Sequence, residues 1–120
     1  MTDEGTAAAA PPPPRVLLDE CLPRRLRREL AEYDVRTVQE LGWAGTKNGA
    51  LLSRAVDAGF GVFLTMDRSL EYQQHVPTVP LAIVLLRAPS NDINDLRPLM
   101  PLVRDVLPSL VAGRVVRLSL

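Results

Sequence analysis

Asp19 and Glu20 follow directly on the apolar run "VLL", and Asp67 follows "VFLTM". Carboxylates next to an apolar sheet edge are costly to ionise, and two side by side repel one another. A divalent cation relieves both costs. Clustered carboxylates suit Mg²⁺ or Mn²⁺, which take oxygen ligands and keep several waters. Such an ion activates water and steadies the charge on a phosphodiester. Asp19, Glu20 and Asp67 are therefore the candidate metal ligands and catalytic residues. Each also has a plainer explanation, since aspartate caps helices and glutamate in a first helical turn favours the helix dipole. Thr65 precedes Asp67 by two positions, so both side chains point the same way along a strand. Its hydroxyl could orient Asp67 or hold a water, although threonine is also an ordinary strand residue. Asp92, beyond the apolar run "LAIVLL", is a further candidate oxygen ligand or a helix cap.

Four arginines, Arg24, Arg25, Arg27 and Arg28, stand just behind the first acidic pair. On a helix, Arg25 would pair with Glu29 and Arg28 with Glu32 at i, i+4, in the less favourable orientation. Arg24 and Arg27 have no such partner. With Arg68, which adjoins Asp67, they are candidates to contact a nucleic-acid backbone, whose affinity is mainly phosphate charge. Trp43, in "LGWAG", either plugs the core or presents a stacking or partner surface. Cys21 and His75 have no evident mates and are assigned no chemistry.

The elements that must position these groups are legible as an alternation. "RVLLD", "GVFLT" and "LAIVLL" are short apolar runs of the two-sided buried strand type, "DVRTV" is a brief second strand, and "RVVRLSL" alternates as a closing edge strand. Between the first two strands, Leu22, Leu26, Leu30 and Tyr33 trace a helical stripe entered at Pro23. "NGALLSRAVDAG" has helical spacing closed by Gly59, and "SLEYQQH" is a short helical piece. From Asp92 to Ala112 the period is helical, but Pro98, Pro101 and Pro108 predict two pieces or a kink. Five strands alternating with helices predict an α/β fold, a three-layer α/β/α sandwich on a mostly parallel five-stranded sheet. Ligands bind such sheets at the carboxyl ends of the strands, where strand order reverses. In the order 2-1-3-4-5, strands one and three are neighbours, and Asp19, Glu20 and Asp67 meet at that point.

Residues 1–14, "MTDEGTAAAAPPPP", are low-complexity and are expected to form a disordered tail, with one domain over residues 15–120. The tail has neither the basic start nor the apolar core of a signal peptide. One cysteine excludes a disulfide framework and suits a reducing cytoplasm, and one histidine excludes a histidine-rich metal site. No apolar run is long enough to span a membrane. The 14 basic and 14 acidic residues cancel, so net charge argues neither for nor against nucleic acid.

"LLDECLPRRLRREL", "VRTVQELGWAGTKNGALL", "GFGVFLTMDRSLEYQQ" and "LAIVLL", in that order and spacing, resemble the short stand-alone PIN-like proteins. The resemblance covers roughly residues 15–118. It implies a metal-dependent ribonuclease, often the toxin of a toxin–antitoxin pair whose partner is a small helix-turn-helix antitoxin. Residue by residue, it assigns Asp19 and Glu20 to the acidic pair of the D-E-N-L-P motif and Asp67 to the aspartate of T-x-D-R. Two positions depart from the pattern. Cys21 replaces the asparagine of the first motif, and Asn48 lies where a further acid is common. Asn48 can lend a carbonyl ligand or orient one, but it brings no charge, so weak binding of Mg²⁺ or Mn²⁺ is expected.

Two rival readings have their own signatures. A phosphoacceptor receiver domain shares the acidic pattern but needs a lysine after the last strand, whereas the only lysine here is Lys47. A non-catalytic PIN-like module with a thinned acidic site would act through protein partners. For that reading, or for a homodimer or antitoxin contact, the apolar segment 93–111 is the candidate interface. It is equally a candidate for core.

Overall fold

The computed structural model describes residues 13–72 and 79–120. Its sheet consists of β1 (Val16–Leu18), β2 (Val35–Thr37), β3 (Val62–Thr65), β4 (Ala82–Arg87) and β5 (Val115–Ser119). All neighbouring strands run parallel, in the order β2-β1-β3-β4-β5. The connections hold three α-helices, α1 (Asn48–Asp57), α2 (Ile93–Leu96) and α3 (Met100–Val106). Further 3₁₀ helices occupy Arg24–Leu30, Arg68–Tyr72, Arg97–Leu99 and Leu107–Ser109. The architecture is the expected α/β sandwich.

Strand alternation builds the two cores. Val16, Leu18, Val62, Leu64 and Val84 point to one face and pack with Leu26 and Leu30 of the first 3₁₀ helix and with Leu99 and Val103. Leu17, Phe63 and Ile83 point to the other and pack with Leu51, Leu52 and Ala55 of α1. β1 and β3 are buried along their whole length, so neither face of the central sheet meets water. At the end of α1, Gly59 adopts φ +88°, and its N–H donates to the Val56 carbonyl at 3.0 Å. Only glycine takes that left-handed position without strain.

Two segments differ from expectation. The stripe after β1 forms a 3₁₀ rather than an α-helix over Arg24–Leu30. Length does not decide this, since α3 is also seven residues long and is α-helical. Instead the chain leaves β1 through successive i−3 bonds, Leu22 N–H to Asp19 O at 3.0 Å and Leu26 N–H to Pro23 O at 3.1 Å. Segment 93–111 is broken at each proline, with Pro98, Pro101 and Pro108 each in the first turn of a new piece, where the missing N–H costs least. Its apolar residues Leu96, Leu99, Met100, Val103 and Leu107 are buried against the sheet. The candidate interface stripe is therefore mainly core, with Val111 59% exposed at its end.

The tail expected over residues 1–14 lies, apart from Pro13 and Pro14, outside the described residues. So do His75 and the end of the piece expected at "SLEYQQH". Among the described residues no helix is long and apolar enough to cross a membrane.

This packing predicts how two apolar truncations differ. Phe63→Ala, at a fully buried ring on the central strand, should lower stability by about 3–5 kcal/mol. Val111→Ala should stay within about 0.5 kcal/mol of wild type. Urea unfolding midpoints measure both, and equal shifts would contradict the assignment of Phe63 to the core.

Candidate functional site

The pairing of β1 with β3 sets the site. In their register Leu17 faces Phe63 and Leu18 faces Leu64. The ladder runs one bond further, with Asp19 N–H donating to Leu64 O at 2.9 Å. Asp19 is thereby carried beside Thr65, and alternation puts both on the face covered by α1. Asp67 follows two residues on. A cavity of about 340 Å³ opens at this point, lined by Asp19, Glu20, Cys21, Thr46, Asn48, Met66 and Asp67.

A buried threonine hydroxyl joins the two aspartates. Thr65 Oγ1 donates to Asp19 Oδ2 at 2.6 Å and accepts the Asp67 N–H at 3.0 Å. Thr65 is fully buried and Asp19 only 8% exposed, so each carboxylate oxygen of Asp19 needs partners. Oδ1 accepts the Glu20 N–H at 2.8 Å, and Oδ2 also accepts the Cys21 thiol at 3.6 Å. Asp67 is held just as closely. Its Oδ2 accepts the Asn48 side-chain amide at 2.9 Å, and its Oδ1 accepts the Ser69 N–H at 3.0 Å and the Ser69 hydroxyl at 2.7 Å. These bonds, first the one from Asn48 and then those from Ser69, hold the Asp67 carboxyl below the usual aspartate range. It is a carboxylate at neutral pH.

Glu20 lines the same cavity but is turned toward the loop after β2, where its Oε1 accepts the Gly45 N–H at 3.1 Å. Gly45 has φ +80°, so a side chain there would strain the turn that delivers this N–H. The tryptophan of that loop is half-buried and packs against the core, with the Trp43 ring edge-on to Phe60, centroids 6.2 Å apart.

The remaining candidates fall into two groups. Asn48 and Thr65 act as orienters, Asn48 through its amide nitrogen and not its carbonyl. Asp92 is the N-cap of α2, where its Oδ1 accepts the Asn94 N–H at 2.8 Å, and it does not line the cavity. Arg68 is exposed and also lies outside the lining. Arg27 is engaged by Glu40 at 2.9 Å, while Arg24 lines a separate cleft with Thr37, Gln39 and Glu40. Among the described residues no three acidic, thiol or imidazole groups form a ready-made metal cage.

Cys21 is a site neighbour that residue type alone did not flag. Burial, as the leading cause, pushes its thiol pKa up, and the charge of Asp19 pushes the same way. It is a protonated donor to Asp19, and its position two residues after Asp19 in a tight turn is the signal that could have found it.

No family model, curated protein or solved structure matches the chain.

Two measurements check this geometry. Because the pKa of Asp67 is depressed on folding, its carboxylate stabilises the fold above the unfolded value of about 3.9, and that gain is lost as pH falls through the lower folded value. Asn48→Ala removes the leading cause, so the Asp67 pKa followed by carboxyl NMR should rise and the acid-stable window should narrow. An unchanged titration would contradict the amide–carboxylate bond. Asp19→Asn removes a negative charge beside Cys21, so the thiol pKa should fall and alkylation by iodoacetamide at mildly alkaline pH should quicken. A rate equal to wild type would contradict their contact.

Proposed function

We propose that this chain is a metal-dependent ribonuclease of the PIN-like type. The observation that carries the reading is the meeting of Asp19 and Asp67 in one cavity, at the carboxyl ends of adjacent parallel strands, tied together through Thr65. The toxin role and the small helix-turn-helix antitoxin partner come from the sequence resemblance.

The residues fit Mg²⁺ or Mn²⁺ by donor chemistry. An ionised carboxylate offers about four lone-pair sites. Asp19 and Asp67 each accept three hydrogen bonds, which leaves each about one acceptor site. Mg²⁺ is commonly held by one or two carboxylates, waters and substrate phosphate, so two such groups suffice where a four-acid cage is absent. The protonated Cys21 thiol argues against a thiolate-seeking ion. Asp19 and Asp67 would hold the ion, with Glu20 at the cavity rim. When bound, it supplies Lewis-acid charge to an RNA phosphodiester and to the attacking water.

The chain's own residues supply the positioning. Thr65 and the turn N–H groups fix the Asp19 carboxylate, and Asn48 and Ser69 fix that of Asp67, so neither needs to reorganise when charge arrives. Among the described residues the Glu20 carboxylate accepts a single hydrogen bond, from Gly45. Its Oε2 is the least engaged carboxylate oxygen of the cavity and accepts the proton of the attacking water.

A second reading, a non-catalytic PIN-like module acting through protein partners, is favoured by how fully Asp19 and Asp67 are already occupied by internal donors. Cleavage separates the two. Purified protein should cut single-stranded RNA with Mg²⁺ or Mn²⁺ and not with chelator. Asp19→Asn and Asp67→Asn should each lose at least about a hundredfold, the scale of removing one electrostatic stabiliser of a transition state. If both variants cut as well as wild type, the aspartates are only structural. If wild type never cuts, the binding module takes the place of the nuclease.

A further inference from the structure

The first 3₁₀ helix carries an exposed cluster of arginines whose expected partners have been taken by other elements. Glu29 pairs with Arg97 at 3.5 Å and Glu32 with Arg104 at 2.9 Å. Glu40 takes Arg27 at 2.9 Å. Arg24, Arg25 and Arg28 are left exposed with no carboxylate partner among the described residues. In a 3₁₀ helix side chains three apart eclipse, so Arg25 stands over Arg28 and Arg24 over Arg27. The four guanidinium groups line a concavity of about 250 Å³. Guanidinium forks match the bidentate geometry of phosphate oxygens, and of these four only Arg27 has a carboxylate partner among the described residues.

Residues of this bowl adjoin residues of the acidic cavity. Glu20 lines the cavity, and its backbone carbonyl accepts the Gln39 side-chain amide at 3.1 Å. Gln39 and Arg24 line a middle cleft of about 360 Å³ together with Thr37 and Glu40. Arg24 also lines the bowl. The linings thus adjoin in turn, from the carboxylates through a cleft that holds Gln39 and the ion-paired Glu40 to the arginines. From Asp19 to Arg24 is five residues, at most about 18 Å even if fully extended, and the turn from Asp19 to Leu22 shortens it.

We propose that Arg25 and Arg28, with Arg24 at the near rim, form a phosphate subsite for an RNA strand whose reacting phosphate lies in the acidic cavity. The subsite rests on the ribonuclease reading and deepens it, by stating that the strand leaves the cavity past Gln39 along the first 3₁₀ helix. A narrow, extended polyanion can follow such a path. A broad acidic protein face would meet Asp19, Glu20 and Asp67 at the same time.

Equilibrium binding with chelator present tests this apart from cleavage. Fluorescence anisotropy follows a labelled single-stranded RNA long enough to span cavity and bowl, and a labelled dinucleotide that is not. The proteins are wild type, the double variant Arg25→Ala/Arg28→Ala, and Arg114→Ala as a charge control beside β5. Circular dichroism checks that each is folded. The double variant should bind the long RNA about tenfold more weakly and flatten its salt slope by about 1.4, the loss of two single-strand phosphate contacts. Arg114→Ala should leave that slope unchanged, and dinucleotide binding should be indifferent to the double substitution. A double variant matching Arg114→Ala overturns the subsite. Equal losses on dinucleotide and long RNA also overturn it, since the bowl would then be an isolated anion site. Binding of polyglutamate that depends on Arg25 and Arg28, with RNA binding unchanged, overturns it in favour of an acidic protein partner. Arginine-dependent RNA binding without cleavage at any metal supports the subsite while the nuclease reading fails.

Discussion

The parallel pairing of β1 with β3 is the constraint from which the site follows. It lets Asp19 N–H continue the ladder onto Leu64 and sets the Asp19 carboxylate against the buried Thr65 hydroxyl. A nearly buried carboxylate is tolerated only when its oxygens are satisfied. Here the donors come from the turn after β1, from the end of β3 and from Cys21. That hydroxyl also accepts the Asp67 N–H, so one oxygen fixes both the buried aspartate and the backbone that aims the second. The two aspartates are therefore set by the register of the central strands and not by flexible loops.

The strands were readable because both faces of the central sheet are buried. Buried faces demand continuous apolar runs, and "VLL", "VFLT" and "AIVLL" can be little else between turn residues. Alternation with helices and the handedness of crossovers allow more than one strand order; the order 2-1-3-4-5 is the one that brings Asp19 and Asp67 together, and it is the one observed. Glycine and proline marked boundaries well. Gly59 ends α1, and the three prolines divide segment 93–111 where each can sit in a first turn.

Tertiary partner exchange was not readable. Local spacing pairs Arg25 with Glu29 and Arg28 with Glu32, but these surface pairs are worth only a few tenths of a kcal/mol. Any arginine from a packed neighbour can displace them, and Arg97 and Arg104 do. The 3₁₀ form of the first helix was hidden for a similar reason, because a stripe of leucines reports burial and not the hydrogen-bond step. Asn48 shows the same limit at the site. An asparagine where an acid is expected reads as a weaker ligand, yet its amide is a donor as well as an acceptor. The fold uses the donor, which lowers the Asp67 pKa instead of replacing a charge.

A chain of zero formal charge thus becomes strongly polarised by folding. Ion pairs at half-exposed positions consume Asp34, Glu29, Glu32 and Glu40 against Arg15, Arg97, Arg104, Arg27 and Arg36. Each such pair contributes little to stability. Their larger effect is on what remains, for they remove acids from the arginine-bearing helix, while the acids of the cavity have no cationic partner among the described residues. In the 3₁₀ form the i, i+4 spacing of Arg25 to Glu29 and of Arg28 to Glu32 is out of register, and Glu32 lies beyond the helix end at Leu30. The contacts of Arg97 and Arg104, on the segment that supplies much of one core, hold those glutamates away. Packing of residues 93–107 thus serves both the core under β1 and β3 and the exposure of the cationic surface, so its loss would disturb the aspartates and the charge asymmetry together.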